Sequence, residues 1–151
     1  MRVFVLLAAA LALCGCKSDS DANASLEALR TTMVTLPNGK GVRAELAIDE
    51  YDQARGLMFR DTLPEGRGML FVHRKPAVRS YWMYQVRIPL DIIFMDSNRR
   101  VLGVAANAPP CTTRSSECPT YGGFDGTQYV LELGAGQAAK NGVTPGVSLT
   151  F

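Results

Sequence analysis

The sequence predicts a mainly β protein: a compact β-sandwich or barrel-like domain with one short helix after the first hairpin and a helical turn near the C-terminus. Three observations predict it. Short runs alternate apolar and polar residues at the two-residue period of a half-buried strand, Val42, Ala44, Leu46 and Ile48 most plainly. Gly and Pro, 14 and 8 of the 151 residues, punctuate those runs as turns do. Helical patterns of crossover length do not recur, as a doubly wound α/β fold would require.

Residues 1–15 stand apart from that domain. Arg2 gives a positive start and Val3 to Leu13 an unbroken apolar run. As helix the run would reach about 17 Å, short of a ~30 Å hydrocarbon core, so a signal peptide is expected and not a membrane span. Leu13-Cys14-Gly15-Cys16 resembles a bacterial lipobox, which implies cleavage before Cys16 and lipidation of that residue. Two or more acyl chains would anchor the protein stably. The alternative is an ordinary secreted protein with cysteines in its leader. Residues 16–25 are polar and small and read as a flexible tether, leaving residues 26–151 as one domain. The expected address is the envelope of a Gram-negative bacterium, facing the periplasm, with Lys17 after the cysteine favouring the outer membrane.

Of 16 basic and 14 acidic residues, the leader removes only Arg2. A balance this near neutral, with no basic run, gives no ground for a nucleic-acid partner. Cys111 and Cys118 are the cysteines left to the domain, on a Pro-rich loop, and in an oxidising compartment they are expected to pair. A metal pair or a redox couple competes with that reading. Redox motifs space their cysteines more closely, and no further Cys or nearby His completes a zinc set.

In chain order, Thr32 to Leu36 and Val42 to Ile48 read as a hairpin about the Pro37-Asn38-Gly39-Lys40 turn. Asp49 can cap a short helix, with Tyr51, Ala54, Arg55 and Met58 at helical spacing. Met69 to Val72 reads as a strand, Arg74 to Ala77 as a polar connection, and Tyr81 to Tyr84 as the next strand. Pro89 lacks an N–H and so marks the start of the Leu90 to Asp96 strand. A turn at Asp96-Ser97-Asn98-Arg99 leads back through Val101 to Val104. Tyr129 to Leu133, a helical turn at Gln137 to Asn141, and Val147 to Phe151 finish a count of about eight short strands.

Arg55-Gly56-Leu57-Met58-Phe59-Arg60, Gly68-Met69-Leu70-Phe71, Trp82-Met83, Ile88-Pro89-Leu90-Asp91-Ile92-Ile93-Phe94 and Tyr129-Val130-Leu131-Glu132-Leu133 occur in that order. Together they resemble the successive blocks of the family called domain of unknown function 192, across about Leu36 to Phe151. The resemblance implies a small β-rich domain, often exported, and no established activity. Relatives usually continue the Trp-Met pair into a Lys-Asn-Thr-like run, whereas Tyr84, Gln85 and Val86 follow it here.

Candidate binding residues are Arg55, Trp82, Asp91 and Glu132. Arg55, Asp91 and Glu132 are charges inside apolar blocks, costly to bury unless paired, so they are expected either to converge on a pocket or to fix register as a buried ion pair. Trp82 with Tyr81 and Tyr84 can form an aromatic platform or pack in the core. The leading expectation is a non-catalytic module, without a cofactor, for a small molecule, glycan or partner protein. The alternatives are an envelope-polymer hydrolase with Asp91 and Glu132 as acid and base, and copper handling by Met58, Met69 and Met83, with His73 nearby. The hydrolase requires its two carboxyls in one cleft, about 5 to 9 Å apart.

Overall fold

The computed structural model describes residues 30–151. The expected leader, Cys16 and the tether lie outside the described residues. β1 (Thr31–Thr35) and β2 (Gly41–Ala47) form the anticipated antiparallel hairpin, Val34 opposite Val42. Asp49 caps α1 (Glu50–Arg55), its carboxylate accepting from the Asp52 N–H at 2.8 Å. The helix stops at Gly56, where φ is +46° and a Cβ would press on the Phe71 ring at 3.2 Å.

β3 (Arg67–Trp82) and β6 (Thr120–Gly134) are long strands paired antiparallel, with register shifts between Val72 and Ser80. β4 (Leu90–Met95) and β5 (Val101–Ala108) form a second hairpin. Its turn is the one anticipated at Asp96, whose Oδ1 accepts from the Asn98 and Arg100 N–H groups at 2.8 and 2.9 Å. A 3₁₀ turn at Ser115–Glu117 precedes β6, and α2 (Gln137–Lys140) follows it.

The six strands make one sheet in the order β1-β2-β3-β6-β4-β5, so the mainly β expectation holds. About eight strands become six: the Arg74–Ala77 connection is part of β3, whose bulged ladder continues past these largely exposed residues and merges two expected strands, and the strand expected at Val147 to Phe151 makes only isolated bridges. The strand expected at Tyr81 to Tyr84 likewise ends at Trp82, and Tyr84 makes only an isolated bridge to Cys111. β2 and β3 pair in parallel, their connection carrying α1.

The sheet does not close into a barrel through its own strands. Instead the C-terminal segment straps its two edges. Thr150 exchanges backbone hydrogen bonds with Thr35 at the end of β1, while Val147 and Gly146 do the same with Val101 at the start of β5.

Side chains alternate between two apolar clusters. One holds Val34, Val42, Leu70, Ile93, Met95, Leu131, Leu133 and Leu149; the other holds Leu57, Met69, Phe71, Met83, Leu90, Ile92, Phe94 and Val130. All six residues of β4 are buried because both of its faces are covered. Each large apolar side chain buried there contributes roughly 1.5–3 kcal/mol.

Candidate ligand-binding cleft

Between the β1–β2–β3 edge of the sheet and the C-terminal end of α1 lies a cleft of about 800 Å³. Ladder register sets its floor, since Thr31, Glu45 and Met69 stand opposite one another on consecutive strands. Its wall is the turn after α1, which brings in Arg55, Met58, Phe59 and Arg60; Arg30 and Arg67 complete the cationic lining. Four arginines face two carboxylates, Glu45 and Asp52.

Arg60 and Glu45 form a two-pronged pair, Nη1 to Oε1 at 2.7 Å and Nη2 to Oε2 at 2.6 Å. The hydrogen bond from Arg60 holds the Glu45 carboxyl below its usual range despite partial burial. Arg55 sits exposed in the last turn of α1, and its guanidinium makes no hydrogen bond or ion pair among the described residues.

Glu132 continues the floor row one strand further, directly opposite Met69 and Ile92. It is 4% exposed, and its Oε2 has no hydrogen-bond partner. Burial pushes its carboxyl up to about 8, against a smaller opposing pull from Arg60. The protonated form is thereby favoured behind the cleft. On the same face, His73 Nε2 meets the Tyr81 hydroxyl at 2.8 Å. Burial, with Arg79 adding to it, lowers the imidazole to about 4, and burial with Glu132 raises the phenol.

Phe59 lines the cleft, 52% exposed and with its backbone left-handed, φ +65°. Its N–H donates to the Gln85 carbonyl at 2.9 Å; Gln85, also left-handed at φ +57°, donates to the Cys111 carbonyl at 2.8 Å. Cys111 is bonded to Cys118, the disulfide anticipated from the sequence. The rim of the cleft is thus tied by two backbone hydrogen bonds to the stapled loop.

The four expected binding residues divide among three places. Arg55 lines the cleft and Glu132 adjoins it in the same row. Asp91 lies on the opposite face, opposite Leu133 in the ladder, and is fully buried. Its Oδ1 accepts from the Asn107 N–H and its Oδ2 from the Ala138 N–H, both at 2.8 Å, so it clamps β5 and α2 onto β4. This corrects the hydrolase reading: adjacent residues of β4 point to opposite faces, and the face of Ile92 is the one that carries Glu132. Arg55 does not converge on Asp91, where two backbone N–H groups do what a cation would have done.

Trp82 is 44% exposed outside the cleft lining, its ring tilted against Tyr84 at 5.3 Å. Tyr81 points the other way, edge-on to Phe71 and Phe94. Met58 and Met69 both line the cleft, but Met83 is fully buried and does not. Among the described residues no three His, Cys, Asp or Glu side chains gather to hold a metal ion.

Glu45, Phe59, Arg60 and Arg67 were missing from the expected site. Arg60 and Phe59 lay in the block shared with the family, and Arg43 and Glu45 read as the solvated side of β2. Only the parallel pairing with β3 turns Glu45 toward Met69.

Fold and cleft define a small single-sheet β domain with an arginine-lined cleft. The chain belongs to the family DUF192, described as an uncharacterized ACR, whose model matches residues 33–151. A protein of unknown function from Novosphingobium aromaticivorans DSM 12444 is 38% identical with a TM-score of 0.70, over 80% of this chain and 85% of that one. A candidate transcription regulator from Sinorhizobium meliloti 1021 is 29% identical with a TM-score of 0.69, over 78% and 89%. No curated protein matches the chain.

Proposed function

We propose that this chain is a lipid-anchored envelope protein, held through Cys16, whose domain is a non-catalytic binding module for a small anionic molecule. The observation that carries the reading is the cleft, where arginines outnumber carboxylates and Arg55 has no partner among the described residues. A guanidinium at a concave, partly apolar surface suits an oxyanion, which it grips with parallel N–H donors. The raised carboxyl of Glu132 supports this reading, since a carboxylate behind the floor would oppose an anion.

Thermal-shift and calorimetric titration of the full chain with a panel of organic and inorganic anions tests the module. We expect at least one anion to raise the melting temperature in the wild type and not in Arg55→Gln. A panel without a single binder removes the reading. Anchoring is tested separately, by incorporation of a labelled fatty acid in a bacterial host, which Cys16→Ser abolishes.

A glycan ligand is the second reading, favoured by the exposed Trp82–Tyr84 pair. It expects oligosaccharide binding that Trp82→Ala removes and Arg55→Gln leaves intact.

A further inference from the structure

Resting on the anion reading of the cleft, we infer that its ligand is amphipathic: an oxyanion head taken by Arg55, with an apolar body laid across Met58, Met69 and Phe59. The lining is divided in just this way. Arg60 is already occupied by both oxygens of Glu45, so its strongest hydrogen-bonding directions are spent within the protein. Arg55 is the cation of the α1 turn with its donors free among the described residues. Beside it stand two thioethers and an aromatic ring.

Phe59 gives the argument its direction. An exposed phenylalanine in the left-handed region carries both a solvation and a backbone penalty. The Gln85 carbonyl fixes that backbone, and the ring stays at the cleft where an apolar ligand would cover it. Met58 and Met69 are unbranched and adapt to an irregular chain or ring. The cleft, at about 800 Å³, falls within the ~300–1,000 Å³ of sites that hold organic ligands, far more room than an inorganic anion fills.

The test uses the mature chain, residues 16–151 carrying Cys16→Ser and made without the leader, so that neither lipid, leader nor detergent competes for the probes. Octanoate is titrated calorimetrically beside acetate, inorganic phosphate and 1-octanol. We expect octanoate to bind at least about tenfold more tightly than acetate or 1-octanol, because head and body are both needed. Arg55→Gln should weaken octanoate about tenfold. Phe59→Gly, which keeps a left-handed backbone without strain and so preserves the fold, should weaken octanoate and leave acetate alone. Arg114→Gln, which removes a cation outside the cleft, should change neither.

Equal affinity for octanoate and acetate overturns the amphipathic ligand while leaving the anion module standing. Binding of 1-octanol as tight as octanoate overturns the role of Arg55. Failure of every anion to bind, in a chain whose melting curve shows it folded, overturns this inference and the anion module together.

Discussion

At the scale of single residues, the charges inside apolar strands were legible, and their partners were not. Asp91 stands out in Pro-Leu-Asp-Ile-Ile, but its hydrogen bonds come from the backbone of Asn107 and Ala138, which no periodicity announces. Replacing it by Asn turns one acceptor into an N–H₂ facing an N–H. Asp91→Asn is expected to cost on the order of 1–3 kcal/mol in urea denaturation, without altering anion affinity at the cleft. Equal loss of stability and affinity would show that clamp and cleft are one unit.

Glu132 yields a prediction of opposite sign. Its folded pKa, about 8, lies above the usual carboxyl value, so between roughly pH 4.5 and 8 the unfolded chain has released a proton that the folded chain keeps. Its contribution to stability is fully present below that window and is lost as pH rises through it. Glu132→Gln removes the titration, and the variant is expected to be more stable than wild type at pH 8.5, by a few kcal/mol at most, with little difference at pH 4.5. His73 runs the other way. Its imidazole is lowered to about 4, so its contribution is present above about pH 6.5 and is lost as pH falls toward 4. Denaturation midpoints between pH 4 and 9, with and without Glu132→Gln, separate the two.

At the scale of elements, the β1–β2 hairpin, the capped α1, the Asp96 turn and the α2 turn were all readable, because each is specified by residues close in sequence. The bulged middle of β3 was not. Arg74, Lys75 and Pro76 look like a loop because they are exposed; they have no partner in the β6 register and belong to the strand because the ladder resumes at Ala77 opposite Thr127. The cleft escaped for the same reason, being assembled by the parallel pairing of β2 with β3. The disulfide belongs to this scale. Replacing Cys111 and Cys118 by Ser should cost about 2–3 kcal/mol by chain entropy alone. It should also loosen Gln85 and with it Phe59, so the pair is expected to bind octanoate more weakly than its folded fraction explains. Calorimetry on the oxidised and double-Ser proteins, at a temperature where both are folded, measures that difference.

At the scale of the whole molecule, the sheet has two unclosed edges and one strap across them. A terminal strand was expected at Val147 to Phe151, and the segment makes only isolated bridges; that it would join the first strand to the fifth was not legible, since nothing local encodes which edge a short segment meets. Deleting residues 147–151 should uncover the backbone of both edges at once. We expect a lowered melting temperature and concentration-dependent association in size-exclusion chromatography. A deletion that stays monomeric at wild-type stability would show the strap to be ornamental.

The single parallel ladder has a consequence for how this domain can diverge. The β1–β2 and β4–β5 connections are short turns between paired strands, and a residue gained or lost within a ladder reverses the facing of all that follow it. The connection from Ala47 to Arg67 is under no such constraint, because it leaves β2 and enters β3 through a helix and turns. It also supplies Arg55, Met58, Phe59 and Arg60. Insertions and exchanges there can reshape the cleft while the sheet remains as it is.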